Sequence, residues 1–387
     1  MADKQCGNDR RSMTISVTVL GITLAVVFLA YHAFSENNND SNQSTVKFAA
    51  IVFRHGERSP SGLYPNDPHL NYSWLGGFGA LTLKGAFQGY TLGTKLRNRY
   101  IKLLPSNGFY TTKEMYVLSS AAERCLMTAQ TFLAGFLPPP NGHQLPIKWQ
   151  PVAVNSVSRD RDRLISQKGI CPKYDEMLKK MYTDPPAELK KFVEENAELF
   201  TYISEKTGGN ITNVHQGEQL YNILSIERDN GLELPKWTES VFPDKLLALA
   251  ERNLAVLTEN DYMKRVKGGS LVTDILDHML QLKNNQNQRN IFIYSGHDVT
   301  LVNTMRALDV ISQTTKKPDY TSSLHFELHQ NPTLDNDLEV KIFFGFNHES
   351  DLKAIDIPNC DSPCSLEKFT EAIEPIIIRD YDETCAL

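Results

Sequence analysis

The chain has 387 residues, 41% of them hydrophobic and 22% charged, which suits one large globular domain or two smaller ones with a sizeable core. A formal net charge of -6 excludes the basic face of a nucleic-acid binder, so any site for an anion must be local.

Residues 14–34 are nearly free of charge and long enough to cross a bilayer, and Lys4, Arg10 and Arg11 precede them. This is the pattern of a signal anchor or a signal peptide. Small residues in Ala33-Phe34-Ser35 suit cleavage, but the leader is long, which favours an uncleaved type II anchor with residues 1–13 as a cytoplasmic tail. The rest then faces the lumen or the outside, or is secreted or lysosomal if cleavage occurs. Residues 35–45 are polar and Asn-rich and read as a flexible stalk. Sequons for N-glycosylation fall at Asn39, Asn42, Asn71 and Asn210.

An apolar run over 46–53 predicts a strand that ends on Arg54-His55-Gly56-Glu57-Arg58-Ser59-Pro60. Two arginines flanking a histidine, with a glycine to let the backbone turn, make a cup for an anion. Arginine forks match phosphate oxygens in pairs, and a neutral imidazole between them can attack phosphorus. Helical periodicity follows over 81–104, with Thr82 as cap and Leu83, Phe87 and Tyr90 on one apolar face. A strand over 114–118 leads into a helix over 122–136 that Pro138-Pro139-Pro140 stops. Arg124 therefore stands in a first helical turn, where an anion is favoured.

From 151 to 265 helical periodicities follow one another without a convincing strand, at 174–181, 188–204, 214–226 and 245–257. They read as an inserted helical subdomain. The alternating Ser158-Arg159-Asp160-Arg161-Asp162-Arg163 reads as a solvated loop. A helix after Gly268-Gly269, a strand over 290–294 and a helix over 299–308 come next. The strand runs into Ser295-Gly296-His297-Asp298. Further strands are expected at 321–328 and 338–346, and a last helix at 366–377. Residues 46–150 and 266–387 would then form one α/β domain around the insert.

Two strand ends that each carry a histidine at a helix start imply a shared site, since open α/β sheets bind ligands there. Arg54, Arg58 and Arg124 would bind phosphate, His297 would add a donor, His55 would attack, and Asp298 would protonate the leaving oxygen. Asp298 equally suits a plain helix cap, and a lone histidine is commonly structural. Guanidiniums around His55 should lower its pKa and that of Asp298, favouring turnover in acid. No cysteine is followed by an arginine six residues on, and no Asp/His/Asn cluster suggests a metal pair, so no metal or other cofactor is expected. Cys6 precedes the apolar segment and Cys125 lies in an apolar helix. Cys171, Cys360, Cys364 and Cys385 should oxidise into two bridges, with three connectivities open.

The motif at residues 54–60 resembles the RHGxRxP signature of the histidine acid phosphatases, and His297-Asp298 resembles their second, HD, element. Arg124 matches that family's third phosphate arginine, and the likeness, closest to the prostatic and lysosomal branch, extends over 46–385. It takes in Trp74-Leu75-Gly76-Gly77-Phe78-Gly79 and Lys267-Gly268-Gly269. The resemblance implies a mixed-sheet α/β sandwich of the phosphoglycerate mutase-like kind with a helical insert, and hydrolysis of small phosphomonoesters through a phosphohistidine. It further implies a homodimer and the pairs Cys171–Cys385 and Cys360–Cys364. A cysteine pair common in the branch, near 221–228 and 321–325, is absent here as a pair. Many relatives are anchored at the carboxyl end, so an anchor in this chain would be at the amino end. A phytase or inositol polyphosphate phosphatase shares both motifs but benefits from a strongly basic pocket that the sequence does not display. A non-catalytic phosphate-binding module would need neither His55 nor Asp298.

Overall fold

A computed structural model describes residues 45–142, 145–334 and 338–387, so the expected anchor at 14–34, the stalk, Asn39 and Asn42 lie outside the described residues. The apolar segment Val46–Arg54 forms β1, buried on both faces at the middle of a seven-stranded sheet. The other strands are β2 (Met115–Ser120), β3 (Asn155–Val157), β4 (Ile291–Gly296), β5 (Ser323–Gln330), β6 (Leu338–Gly345) and β7 (Lys353–Ile355). Their order is β3-β2-β4-β1-β5-β6-β7. The first four in that order run parallel, and β5 to β7 continue antiparallel, so the sheet is mixed as expected.

Side chains of β1 alternate between two cores, as the period of a strand requires. Ala49, Ile51 and Phe53 pack under α1 (Leu83–Tyr100) and α2 (Glu123–Phe136). Phe48, Ala50 and Val52 pack against α9 (Ser270–Lys283), α10 (Asp298–Ala307) and α11 (Leu366–Ala372). Between the strands of the sheet come α3 (Pro172–Thr183), α4 (Ala187–Glu195), α5 (Ala197–Thr207), α6 (Val214–Asp229), α7 (Asp244–Val256) and α8 (Asp261–Lys264). Helices α4 to α7 share a core of their own that includes Phe200, Ile203, Leu220, Leu224, Leu246 and Leu249, with Tyr64 reaching into it from the loop after β1. A short last helix, α12 (Tyr381–Cys385), is tied to the start of α3 by the Cys171–Cys385 bridge, and Cys360 pairs with Cys364.

The apolar face of α1 that carries Leu83, Phe87 and Tyr90 points outward: these side chains are 70%, 63% and 49% exposed. The helix instead buries Gly85, Gly89, Leu92, Gly93, Leu96 and Tyr100. Glycine on that side lets α1 and α2 touch backbone to backbone: a Cβ on Gly93 would stand 2.0 Å from the carbonyl oxygen of Phe132. Hydrophobicity alone picks the wrong stripe. Among the described residues no strand separates the helices between 174 and 257, but ahead of them three residues, Asn155–Val157, add β3 to the sheet edge beside β2. The periodicity read over 188–204 is also two helices, α4 and α5, separated at Asn196.

Candidate active site

Register explains how two motifs 240 residues apart meet. In the parallel pair β1 and β4, Phe53 faces Ser295 and Arg54 faces Gly296, so both strands end at one level; Ser119 of β2 faces Ser295 from the other side. The loops beyond these ends carry His55 and His297, and the first turn of α2 carries Arg124. All six residues expected to form the site converge there.

The His55 loop is held from several sides. Gly56 donates to Thr128 Oγ1 at 3.1 Å, and that hydroxyl donates to the Arg124 carbonyl at 2.7 Å, linking the loop to the helix that carries the third arginine. A Cβ on Gly56 would meet Gly85 O at 2.2 Å, so glycine is needed for the start of α1 to close on the loop. Ser59 Oγ donates to the Gly77 carbonyl at 2.6 Å, pinning the segment 74–79 beneath the motif.

His55 is 2% exposed, and its Nδ1 lies 2.8 Å from the Gly56 carbonyl. A carbonyl only accepts, so Nδ1 carries the proton and Nε2 keeps a lone pair. Burial first, then Arg124 and Arg54, hold the imidazole pKa well below its usual value, which leaves the ring neutral in acid. Its ring centre is 5.6 Å from that of His297. Arg124 Nη2 approaches His297 Nδ1 at 3.3 Å; a guanidinium only donates, so the His297 proton is on Nε2, which lies 2.9 Å from Ser120 Oγ. Burial and then Arg124 bring the His297 pKa down to about 3.

Arg54 Nη2 stands 3.1 Å from Asp298 Oδ2, while Nη1 donates to the Pro318 carbonyl at 2.7 Å and the guanidinium lies over the Tyr320 ring at 4.2 Å. Burial would raise the Asp298 pKa, but Arg54 and then Lys317, whose Nζ is 3.8 Å away, outweigh it and hold the carboxyl well below the usual range. Burial, reinforced by Arg58 and Arg54 and opposed by Cys125 and Asp298, lowers the Arg124 pKa. Ser120, Lys317 and Tyr320 belong to this site and were not singled out in the sequence. Ser120 ends β2, four residues before Arg124, a position that could have marked it. Lys317 and Tyr320 approach from the connection into β5, which carries no motif.

Such an arrangement presents a neutral imidazole lone pair among three guanidiniums, with a carboxyl beside it, at the carboxyl ends of parallel strands. It matches the histidine phosphatase superfamily (branch 2) over residues 45–345. The chain belongs to that family. It is 30% identical to the lysosomal acid phosphatase of Homo sapiens, covering 100% of this chain and 88% of the relative. To the prostatic acid phosphatase of Rattus norvegicus it is 33% identical, covering 88% of this chain and 89% of the relative. Among solved structures, the apo phytase of Hafnia alvei superposes with a TM-score of 0.65 at 17% identity, covering 89% of this chain and 98% of that one, a likeness of fold.

Family membership leaves Cys125 to be accounted for. Fully buried in α2, it lies with its sulfur 3.3 Å from the Gly296 carbonyl, and burial pushes its thiol up to about 12. That makes it a packing residue under the His297 loop and not a nucleophile.

Proposed function

We propose that this acid phosphatase hydrolyses small phosphomonoesters by way of a phosphohistidine on His55 Nε2. Arg54, Arg58 and Arg124 bind the phosphoryl oxygens, and His297 gives its Nε2–H to one of them in place of Ser120 Oγ, its partner in the free site. The Nε2 lone pair forms the N–P bond as the P–O bond to the leaving group breaks, and Asp298 gives its proton to the departing oxygen. Asp298, now a carboxylate, takes a proton from water as the water attacks phosphorus and the N–P bond breaks, which restores both groups. No metal takes part. The observation that carries this reading is the hydrogen bond from His55 Nδ1 to the Gly56 carbonyl, which leaves Nε2 as the nucleophilic atom. Phosphate release from 4-nitrophenyl phosphate tests it: the wild-type chain turns over, His55→Ala loses at least about a thousandfold in kcat, and equal turnover by the variant contradicts the assignment.

The exposed apolar face of α1, Leu83, Phe87 and Tyr90, supports a homodimer in which a second copy covers it. The apolar segment at 14–34 supports an amino-terminal anchor and a catalytic domain in the secretory pathway, with the lysosome or the exterior as destination if it is cleaved. Exposed Asn71 and Asn210 fit glycosylation there.

A further inference from the structure

A cavity of about 490 Å³ opens onto the site, lined by Ser120, Arg124, His297 and Asp298 at its floor and by Arg159, Lys168 and His215 farther out. The proposed phosphate site accounts for Arg124, His297 and Asp298. Arg159 and Lys168 are left over. Among the described residues neither makes an ion pair, whereas Arg163 of the same segment pairs with Asp382 at 2.5 Å. Burial first and then Arg159 lower the Lys168 pKa, with Asp175 opposing them, so the two cations stand near one another at the cavity. In a chain of net charge -6, two cations that line a cavity and make no ion pair among the described residues point to an anion that arrives with the ligand.

The segment that carries them is held in place. The Asp162 carboxylate, 1% exposed, accepts from the backbone of Leu164, Ile165 and Ser166 at 3.2, 2.8 and 2.8 Å. Thr300 Oγ1 donates to the Ile165 carbonyl at 2.6 Å, Asn303 Nδ2 to Gln167 Oε1 at 2.6 Å, and Lys267 Nζ to the Gln167 carbonyl at 2.6 Å. Thr300 and Asn303 lie on α10, the helix that begins at Asp298. The alternating charge run is a solvated loop, exposed except at Asp162, but Asp162 ties it to the segment 164–167 that α10 holds, so the loop carrying Arg159 and Lys168 is fixed to the helix that presents the proposed acid.

Resting on the phosphatase reading above, we infer that Arg159 and Lys168 form a subsite for a second anionic group on the leaving portion of the substrate, so that the preferred substrates are phosphomonoesters bearing a carboxylate or a further phosphate. The matched pair glycerol 3-phosphate and 3-phosphoglycerate tests this, because the two share a leaving oxygen and differ by a hydroxymethyl against a carboxylate. For the wild-type full-length chain, kcat/KM on 3-phosphoglycerate should be about tenfold the higher, and the gap should narrow as salt is raised. In Arg159→Ala/Lys168→Ala the advantage should vanish, with turnover of glycerol 3-phosphate within about twofold of wild type. Turnover of both substrates without preference, or an equal loss on both in the double variant, overturns the subsite while leaving the phosphatase reading intact. No turnover of either by the wild type overturns that reading and the subsite with it.

Discussion

The guanidinium of Arg54 lies 3.1 Å from the carboxylate of Asp298, so the arginine proposed to bind phosphate also sets the proton inventory of the proposed acid. When a phosphate ester arrives, its negative charge competes for Arg54 and raises the Asp298 pKa from its depressed resting position. In the proposed mechanism, substrate binding thereby helps to protonate the acid that the first chemical step consumes.

Replacing Asp298 by Asn removes that proton while keeping the shape. For alkyl phosphates, whose leaving oxygen needs protonation, kcat should fall by about two to four orders of magnitude. The loss on 4-nitrophenyl phosphate should be smaller, because its phenolate leaves readily. Steady-state rates across a series of leaving groups measure this, and equal losses along the series would argue against Asp298 as acid.

Lys317 Nζ is 3.8 Å from Asp298 Oδ2 and 3.1 Å from Glu218 Oε1. It is the second cation that holds the Asp298 pKa down, and Lys317→Met should let it rise. A higher pKa keeps the acid protonated to higher pH. The alkaline limb of the kcat profile should move up by about one unit, and a profile unchanged in position would show that Asp298 does not set that limb.

Far from the site, Glu327 on β5 accepts from Arg99 Nε and Nη2 at 2.6 and 2.9 Å and from Tyr100 Oη at 2.6 Å, and His329 Nε2 lies 2.8 Å away. Burial raises its pKa, but the hydrogen bonds from His329 and then Arg99 prevail and bring it down to about 2. A depressed carboxyl stabilises the fold above its unfolded pKa near 4.5, and the contribution is lost as pH falls towards 2, on the order of 3 kcal/mol in all. Glu327→Gln should therefore lower Tm at pH 7 more than at pH 2.5. A constant difference by calorimetry would contradict the linkage.

Phe87 is 63% exposed in the middle of the apolar stripe on α1. If a second copy covers it, Phe87→Glu should turn a dimer into a monomer in sedimentation while leaving kcat of each subunit within about twofold. A wild-type chain that sediments as a monomer at micromolar concentration would leave that face without its proposed partner.

How much of this was legible in the chain varies with the range of the interaction concerned. The run at 46–53 and the Arg-His-Gly that ends it are local, and so are the strand and helix start around His297; both were readable, and with them the six residues of the site. What no local pattern contains is register: that Arg54 pairs with Gly296 decides that the two histidines meet, and only the folded sheet shows it. The strands β3 and β7 span three residues each, too short for periodicity to reveal. Leu83, Phe87 and Tyr90 misled because hydrophobic spacing assumes that the greasiest stripe is buried, whereas α1 meets α2 through glycines. Arg159 was legible only as part of a solvated charge run and Lys168 carried no signal; the fold brings both to one cavity, on a loop that Asp162, Ile165 and Gln167 anchor.

The central claim is that His55 is transiently phosphorylated, and rapid-quench trapping of labelled phosphate from an aryl phosphate ester tests it most directly. The wild-type chain should carry label that maps to His55, His55→Ala should carry none, and Asp298→Asn should hold its label longer because the second step lacks its base. Turnover by the wild type with no label on His55, or label undiminished in His55→Ala, would contradict it.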